Sequence, residues 1–307
     1  MVLYMLYTCE KQKTLGSIRK NFEKICFVLV VNGKILLFWD NVFSKSAMYD
    51  SMIRIRFDCP EWMCGGNMVK AVFFDVDGTL VSHTHNAVPE STRISLNKLH
   101  EGGIQRVIAT GRHLNELSRM PVKGISFDAY ITLNGQLCLD SQGKVIFGNP
   151  ITGKSKDSII QMFKDKTIPI MLVEKERMYI NFVNQFVVFA QKAASTPVPV
   201  VGEYTGHEIY QAIAYLEKGH EGAISEQLTD CKLTRWSDYG VDIISSSGGK
   251  RTGIKEYLRI TNIKKEETMA FGDGENDIEM LNYVQIGVAM GNADNSVNSD
   301  RRTKGTV

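Results

Sequence analysis

Long apolar runs are missing from this 307-residue chain. None approaches the roughly 20 residues that a membrane-spanning helix needs. The apolar opening, Met1 to Tyr7, has no basic stretch ahead of it and is interrupted by Glu10 to Lys13, so it does not read as a secretory leader. A surplus of charge of one sign is missing too. Lysines and arginines number 36 against 34 acids, and the net charge of +2 gives no reason to invoke nucleic acid or a membrane surface as a partner. The six cysteines, at 9, 26, 59, 64, 138 and 231, lack metal-ligand spacing. These absences predict a cytoplasmic protein with free thiols. Its 43% hydrophobic and 23% charged residues suit a soluble enzyme long enough for two domains.

What is present is concentrated in Val72-Phe73-Phe74-Asp75-Val76-Asp77-Gly78-Thr79, an apolar run that stops on two carboxylates. Side chains alternate along an extended backbone, so Asp75 and Asp77 can both project from the end of one buried strand. In open α/β sheets, ligands sit beyond the carboxyl ends of the strands. Two acids held that close repel each other, and a hard divalent cation is the simplest resolution. A plain strand-to-turn junction would use the same residues, because Asp and Gly are common turn formers. Three more polar segments follow apolar runs and shift that balance. Val107-Ile108-Ala109 leads into Thr110-Gly111-Arg112, and Val241-Asp242-Ile243-Ile244 leads through a Ser/Gly stretch to Lys250. Met269-Ala270-Phe271 leads into Gly272-Asp273-Gly274-Glu275-Asn276-Asp277.

Taken together, residues 68 to 295 resemble the haloacid dehalogenase-like superfamily, and within it the Cof-type phosphatases. Asp75-Val76-Asp77-Gly78-Thr79 resembles the first motif, Thr110 the second, Lys250 the third, and Gly272-Asp273 through Asn276-Asp277 the fourth. The resemblance implies an α/β fold: a Rossmann-like parallel sheet core with an inserted α+β cap domain. It also implies Mg²⁺-dependent hydrolysis of phosphomonoesters of small metabolites, sugar phosphates first, through an aspartyl-phosphate. Asp75 then attacks phosphorus, while Asp77 protonates the departing alcohol and activates the hydrolytic water. The implied Mg²⁺ ligands are the Asp75 side chain, the Asp77 main-chain carbonyl and Asp273, with Asp277 holding that set in place. Thr110, Gly111, Lys250 and Asn276 are expected around the phosphate, where Lys250 offsets like-charge repulsion. A phosphosugar mutase using the same motifs and a catalytically weak phosphometabolite-binding protein are the alternatives. His83, His85 and Arg112 have ordinary solvated readings and stay outside the catalytic set.

Thr110 and Lys250 lie 140 residues apart, too far for a loop, so something folded must separate them. Ala129 to Leu133 reads as a strand, and Leu137 to Leu139 with Lys144 to Phe147 as a hairpin. Ser155 to Lys166 has helical apolar spacing. Ile168 to Val173, Met178 to Val183, Ile209 to Tyr215 and Val241 to Ile244 read as strands. The expected division is a core from 68–150 and 246–307, with a cap at 151–245 offering Glu174, Arg177, Tyr179 and Asn181 to the substrate. Residues 1–67 fall outside the resemblance, and Met68 is expected to be the natural start. Even so, Ile25 to Val31 and Lys34 to Trp39 flank Asn32-Gly33, a hairpin signal. The polar stretch Asn298 to Val307 is expected to leave the second part of the core shortened.

Overall fold

The computed structural model describes residues 2–10, 23–31, 34–41, 68–82, 86–293 and 296–297. Along the chain come β1 (Val2–Glu10), β2 (Glu23–Val31), β3 (Lys34–Asn41), β4 (Ala71–Phe74), α1 (Glu90–Glu101), β5 (Gln105–Ala109) and α2 (Leu114–Leu117). Next are β6 (Ala129–Thr132), β7 (Leu137–Asp140), β8 (Val145–Gly148), α3 (Gly153–Asp165), β9 (Ile170–Val173), β10 (Met178–Ile180) and α4 (Gln185–Ala193). The remainder is β11 (Gln211–Tyr215), α5 (Gly222–Ser225), β12 (Cys231–Arg235), β13 (Gly240–Ser245), α6 (Lys250–Thr261), β14 (Thr268–Gly272), α7 (Ile278–Tyr283) and β15 (Ile286–Ala289). Among the described residues no helix is long and apolar enough to cross a membrane.

β2 and β3 pair antiparallel with Val31 opposite Lys34, which is the register a two-residue turn demands. Asn32 and Gly33 themselves, like His83, His85 and Asn298 to Val307, lie outside the described residues. The structure adds a third strand that the sequence did not announce: β1 pairs antiparallel with β2.

The chain divides into two compact units. The first takes Met1–Ile108, Pro121–Asp128 and Asn262–Val307. Its core is a parallel run of strands in the order β15-β14-β4-β5. All four residues of β4 are buried, as are all five of β14, the pattern of strands covered on both faces. The rings of Phe74 and Phe271 stack across the two strands with centroids 5.5 Å apart. α1 turns Leu96 and Leu99 inward and ends at Gly102-Gly103, where Gly103 adopts φ +72°.

The second unit takes Ala109–Met120 and Ala129–Thr261. β6, β7 and β8 run antiparallel, and the second hairpin closes with Gly143 at φ +79°. Within 151–245 lies a five-stranded antiparallel sheet in the order β10-β9-β11-β13-β12. One face packs Ala212 and Ala214 against Ile159, Met162 and Phe163 of α3. The other gathers Met171, Val173 and Tyr215 with Val187 and Ala190 of α4.

Three predicted strands are shorter than expected: 168–173 begins at Ile170, 178–183 ends at Ile180 and 209–215 begins at Gln211, and Asn181 accounts for the first two. Its buried carboxamide accepts from Ile170 N–H at 2.9 Å and donates to the carbonyls of Phe163 and Ile168, so it replaces ladder bonds there. The sequence reading omitted α4, whose start is marked by Asn184 accepting from Phe186 and Val187 N–H, and β12, all of whose residues are only partly buried.

Candidate active site

β4 ends at Phe74, so both acids lie just beyond the strand, where the sequence had placed them at its end. Asp75 still follows the sheet, because its N–H donates to the Phe271 carbonyl of β14 at 3.0 Å. Asp77 does not. It sits in a tight turn closed by Gly78 N–H to Val81 O at 2.9 Å and Val81 N–H to Val76 O at 2.8 Å. Gly78 takes φ +81° in that turn, a conformation glycine adopts without a Cβ penalty. Asp75 is buried and Asp77 partly exposed.

The parallel neighbour β14 ends in the same direction and supplies the other acids. A carboxylate oxygen from each of Asp75, Asp273 and Asp277 lies within 4.8 Å of the others, and all three residues are buried. Asp277 closes its own loop: one of its oxygens accepts from the N–H of Asp273 at 2.9 Å and of Gly274 at 3.0 Å. Gly272 makes the fold-back fit, since a Cβ there would come 2.6 Å from the Asp277 side chain. Asp273 is fixed from two sides, accepting from Thr79 Oγ1 and Asn292 Nδ2, each at 2.9 Å. The same Asn292 amide donates to the Gly78 carbonyl at 3.1 Å, so it braces the Asp77 turn and Asp273 together. An all-oxygen, carboxylate-rich set of this kind fits a hard divalent cation such as Mg²⁺. Asn276 is exposed, in the short turn between Asp273 and Asp277.

Thr110, Gly111 and Lys250 belong to the second unit and meet around the turn 133–135. The N–H of Thr110 donates to Ile131 O at 2.9 Å, and its carbonyl accepts from Asn134 N–H at 3.0 Å. Its hydroxyl accepts from Arg112 N–H at 3.1 Å, which leaves the hydroxyl proton to be donated elsewhere. Gly111 lies against the Asn134 amide, 3.1 Å from where a Cβ would stand. Lys250 is the first residue of α6 and only 1% exposed. The close approach of that helix start depends on Gly135, at φ +83°, where a Cβ would overlap the Gly249 carbonyl.

Sequence reasoning passed over Thr79 and Asn292 as functional residues. Thr79 stood inside the first motif and Asn292 followed an apolar strand, but nothing in one sequence says that their side chains turn toward Asp273. Among the cap candidates, Glu174 accepts from Tyr179 Oη at 2.6 Å and Arg177 Nε at 2.7 Å, so these three hold one another. Arg112 pairs loosely with Glu116 at 3.6 Å. Cys138 and Cys231 are free thiols, and burial, with Glu256 adding to it, pushes Cys138 up to about 12 and makes it unreactive.

Residues 72–301 match the haloacid dehalogenase-like hydrolases. The YkrA protein of Bacillus subtilis, named as a phosphatase, is 30% identical over 227 residues, covering 73% of this chain and 87% of its own length. An HMP-PP phosphatase of Cronobacter sakazakii is 24% identical over 243 residues, 74% of this chain and 85% of that one. Among solved structures, a haloalkanoate-superfamily phosphatase of Bacteroides thetaiotaomicron is 31% identical, with a TM-score of 0.71 over 79% of this chain and 91% of its own. A subclass IIB sugar phosphatase of the superfamily is also 31% identical, with a TM-score of 0.67 over 78% of this chain and 93% of its own.

Proposed function

Because the chain belongs to the haloacid dehalogenase-like hydrolases, in their Cof-type phosphatase branch, we propose that it is a Mg²⁺-dependent phosphatase of small phosphorylated metabolites acting through an aspartyl-phosphate on Asp75. The observation that carries this reading is the convergence of Asp75, Asp273 and Asp277, whose carboxylate oxygens lie within 4.8 Å of one another. Sugar phosphates are the leading substrate class, supported by the likeness to a sugar phosphatase. The likeness to an HMP-PP phosphatase puts a heteroaromatic phosphate second.

In this reading Mg²⁺, when bound, neutralises charge on the reacting phosphate and would be held by Asp75, the Asp77 carbonyl and Asp273. A carboxylate oxygen of Asp75 forms the new bond to phosphorus as the bond to the leaving alcohol breaks. Asp77, in its partly exposed turn, hands a proton to that alcohol. The deprotonated Asp77 then takes a proton from water as the water oxygen attacks the same phosphorus. That attack releases inorganic phosphate and restores Asp75. Asp277 works through Asp273, by fixing the loop that presents it. Thr110 and the Gly111 backbone donate to phosphoryl oxygens, Lys250 supplies positive charge and Asn276 adds a contact. We assign residues 68–150 and 246–307 to the catalytic core and 151–245 to the cap that selects the leaving group.

The test is phosphate release from a panel of sugar, nucleotide and pyridoxal phosphates and aryl phosphates, with Mg²⁺ and with chelator. Turnover that needs Mg²⁺ supports the reading. A folded protein that releases phosphate from no member, or does so equally well in chelator, overturns it.

A further inference from the structure

One acid of the second unit has no part in the chemistry above. Asp242 lies on β13 opposite Ile213 of β11. Its carboxylate accepts from the Asn134 amide at 3.0 Å, and the Gln211 and Trp236 side chains lie near enough for their polar hydrogens to oppose the rise in its pKa. Among the described residues no lysine, arginine or histidine pairs with it, and the charge felt most nearby is that of another acid, Glu116. Part of its surface stays open, yet burial pushes its pKa up to about 7. A recessed group reached from one side has both properties. Beside it, Gln211 is 2% exposed and its Oε1 has no hydrogen-bond partner. Buried amide oxygens are rarely left that way. The cluster is one hydrogen-bond donor short.

Its position gives the shortage a meaning. Asn134, which donates its side chain to Asp242, gives its backbone N–H to the Thr110 carbonyl and packs its amide against Gly111. The acceptor cluster is therefore one residue removed from the segment assigned to the phosphate. We infer that Asp242 is a specificity-determining residue that accepts a hydrogen bond from a hydroxyl on the carbon skeleton of a sugar phosphate, with Gln211 and Asn134 as positioning residues. The inference rests on the phosphatase reading and narrows it. A hydroxyl suits the cluster better than an ammonium group does. Its single proton goes to the Asp242 carboxylate, while its own lone pairs can accept from a neighbouring amide N–H. A site built around a substrate hydroxyl discriminates strongly against the analogue lacking it.

The experiment compares native protein with Asp242→Asn and Gln211→Leu on the best hexose phosphate, each of its monodeoxy analogues, its amino-sugar counterpart and p-nitrophenyl phosphate. Native protein should lose about 10–100-fold in kcat/KM on one particular deoxy analogue, mostly through KM. Asp242→Asn should shrink that discrimination to within about threefold, and Gln211→Leu should shrink it partly. Variants that lose activity on every substrate by the same factor, or keep the native discrimination, overturn the inference, and so does a selective loss confined to the amino sugar. Calorimetric binding of the same hexose phosphates to an Asp75→Asn background gives a second readout. If native protein turns over nothing, the phosphatase reading fails. The hydroxyl inference is then judged on the binding ratios alone.

Discussion

Asp273 and Asp277 stand four residues apart after β14: Asp277 is held by two backbone N–H groups within its own loop, and Asp273 by Thr79 and Asn292. Asp242 on β13 is bonded by Asn134 from the turn after β6, with Gln211 of β11 and Trp236 beyond β12 beside it. In the first arrangement three carboxylates converge, and convergence of like charge in a buried place asks for a cation. In the second a single carboxylate is isolated among neutral groups and drifts toward its protonated form. The same side chain thus does opposite electrostatic work. The number of acids brought together decides which.

The sharpest way to break this comparison is to remove the proposed nucleophile from the crowded cluster. Asp75→Asn keeps the shape and loses the attacking oxygen, so phosphate release should fall by about 10³-fold or more, whereas Asp242→Asn should still turn over an aryl phosphate measurably. Equal losses in the two variants would erase the distinction between reacting and recognising acids.

A smaller effect is expected when the cluster is loosened from outside. Asn292→Ala removes the amide that donates to both Asp273 and Gly78. Groups that orient metal ligands typically matter by about 10–100-fold in metal affinity. Titration of activity with Mg²⁺ should therefore show a half-saturation about 10–100-fold higher, with much of the rate recovered at high Mg²⁺. A loss of rate that added Mg²⁺ does not restore would mean that Asn292 acts on the Asp77 turn instead.

The contrast also explains what the sequence could disclose. The motif segments stand out in sequence because each is a short polar segment after an apolar run, and the strands before them include short buried runs such as Ala71–Phe74 and Thr268–Gly272. Lys250 stands out only through its order among the motifs, and the structure places it at the first residue of α6, after the Ser/Gly stretch. Two strand ends, at Ile170 and Ile180, differ from the sequence expectation by two or three residues, because Asn181 substitutes its side chain for strand pairing and looks like any polar residue in sequence. Thr79, Asn292, Gln211 and Asn134 draw their meaning from partners far along the chain. No local pattern encodes such contacts.

The smallest expected effect concerns proton uptake, and its sign follows from the direction of the Asp242 shift. Burial raises the carboxyl from 3.8 to about 7, with Glu116 adding to the rise and the Asn134, Gln211 and Trp236 donors opposing it. The folded protein therefore holds this proton more tightly than the unfolded chain does. The stability this contributes is fully present below about pH 4 and is lost as pH rises through about 7. Asp242 is partly exposed, so the loss between pH 5 and pH 8 should be about 1–2 kcal/mol, less than the whole shift would convert to. Asp242→Asn has no proton to lose there. Urea unfolding of both proteins at the two pH values isolates the difference, because every other titrating group is shared. Native protein should weaken relative to the variant on going to pH 8. If the gap between the two is the same at both pH values, the carboxyl is already ionised at pH 5. Asp242 would then resemble an ordinary solvated acid, and the contrast with the crowded cluster would lose its electrostatic basis.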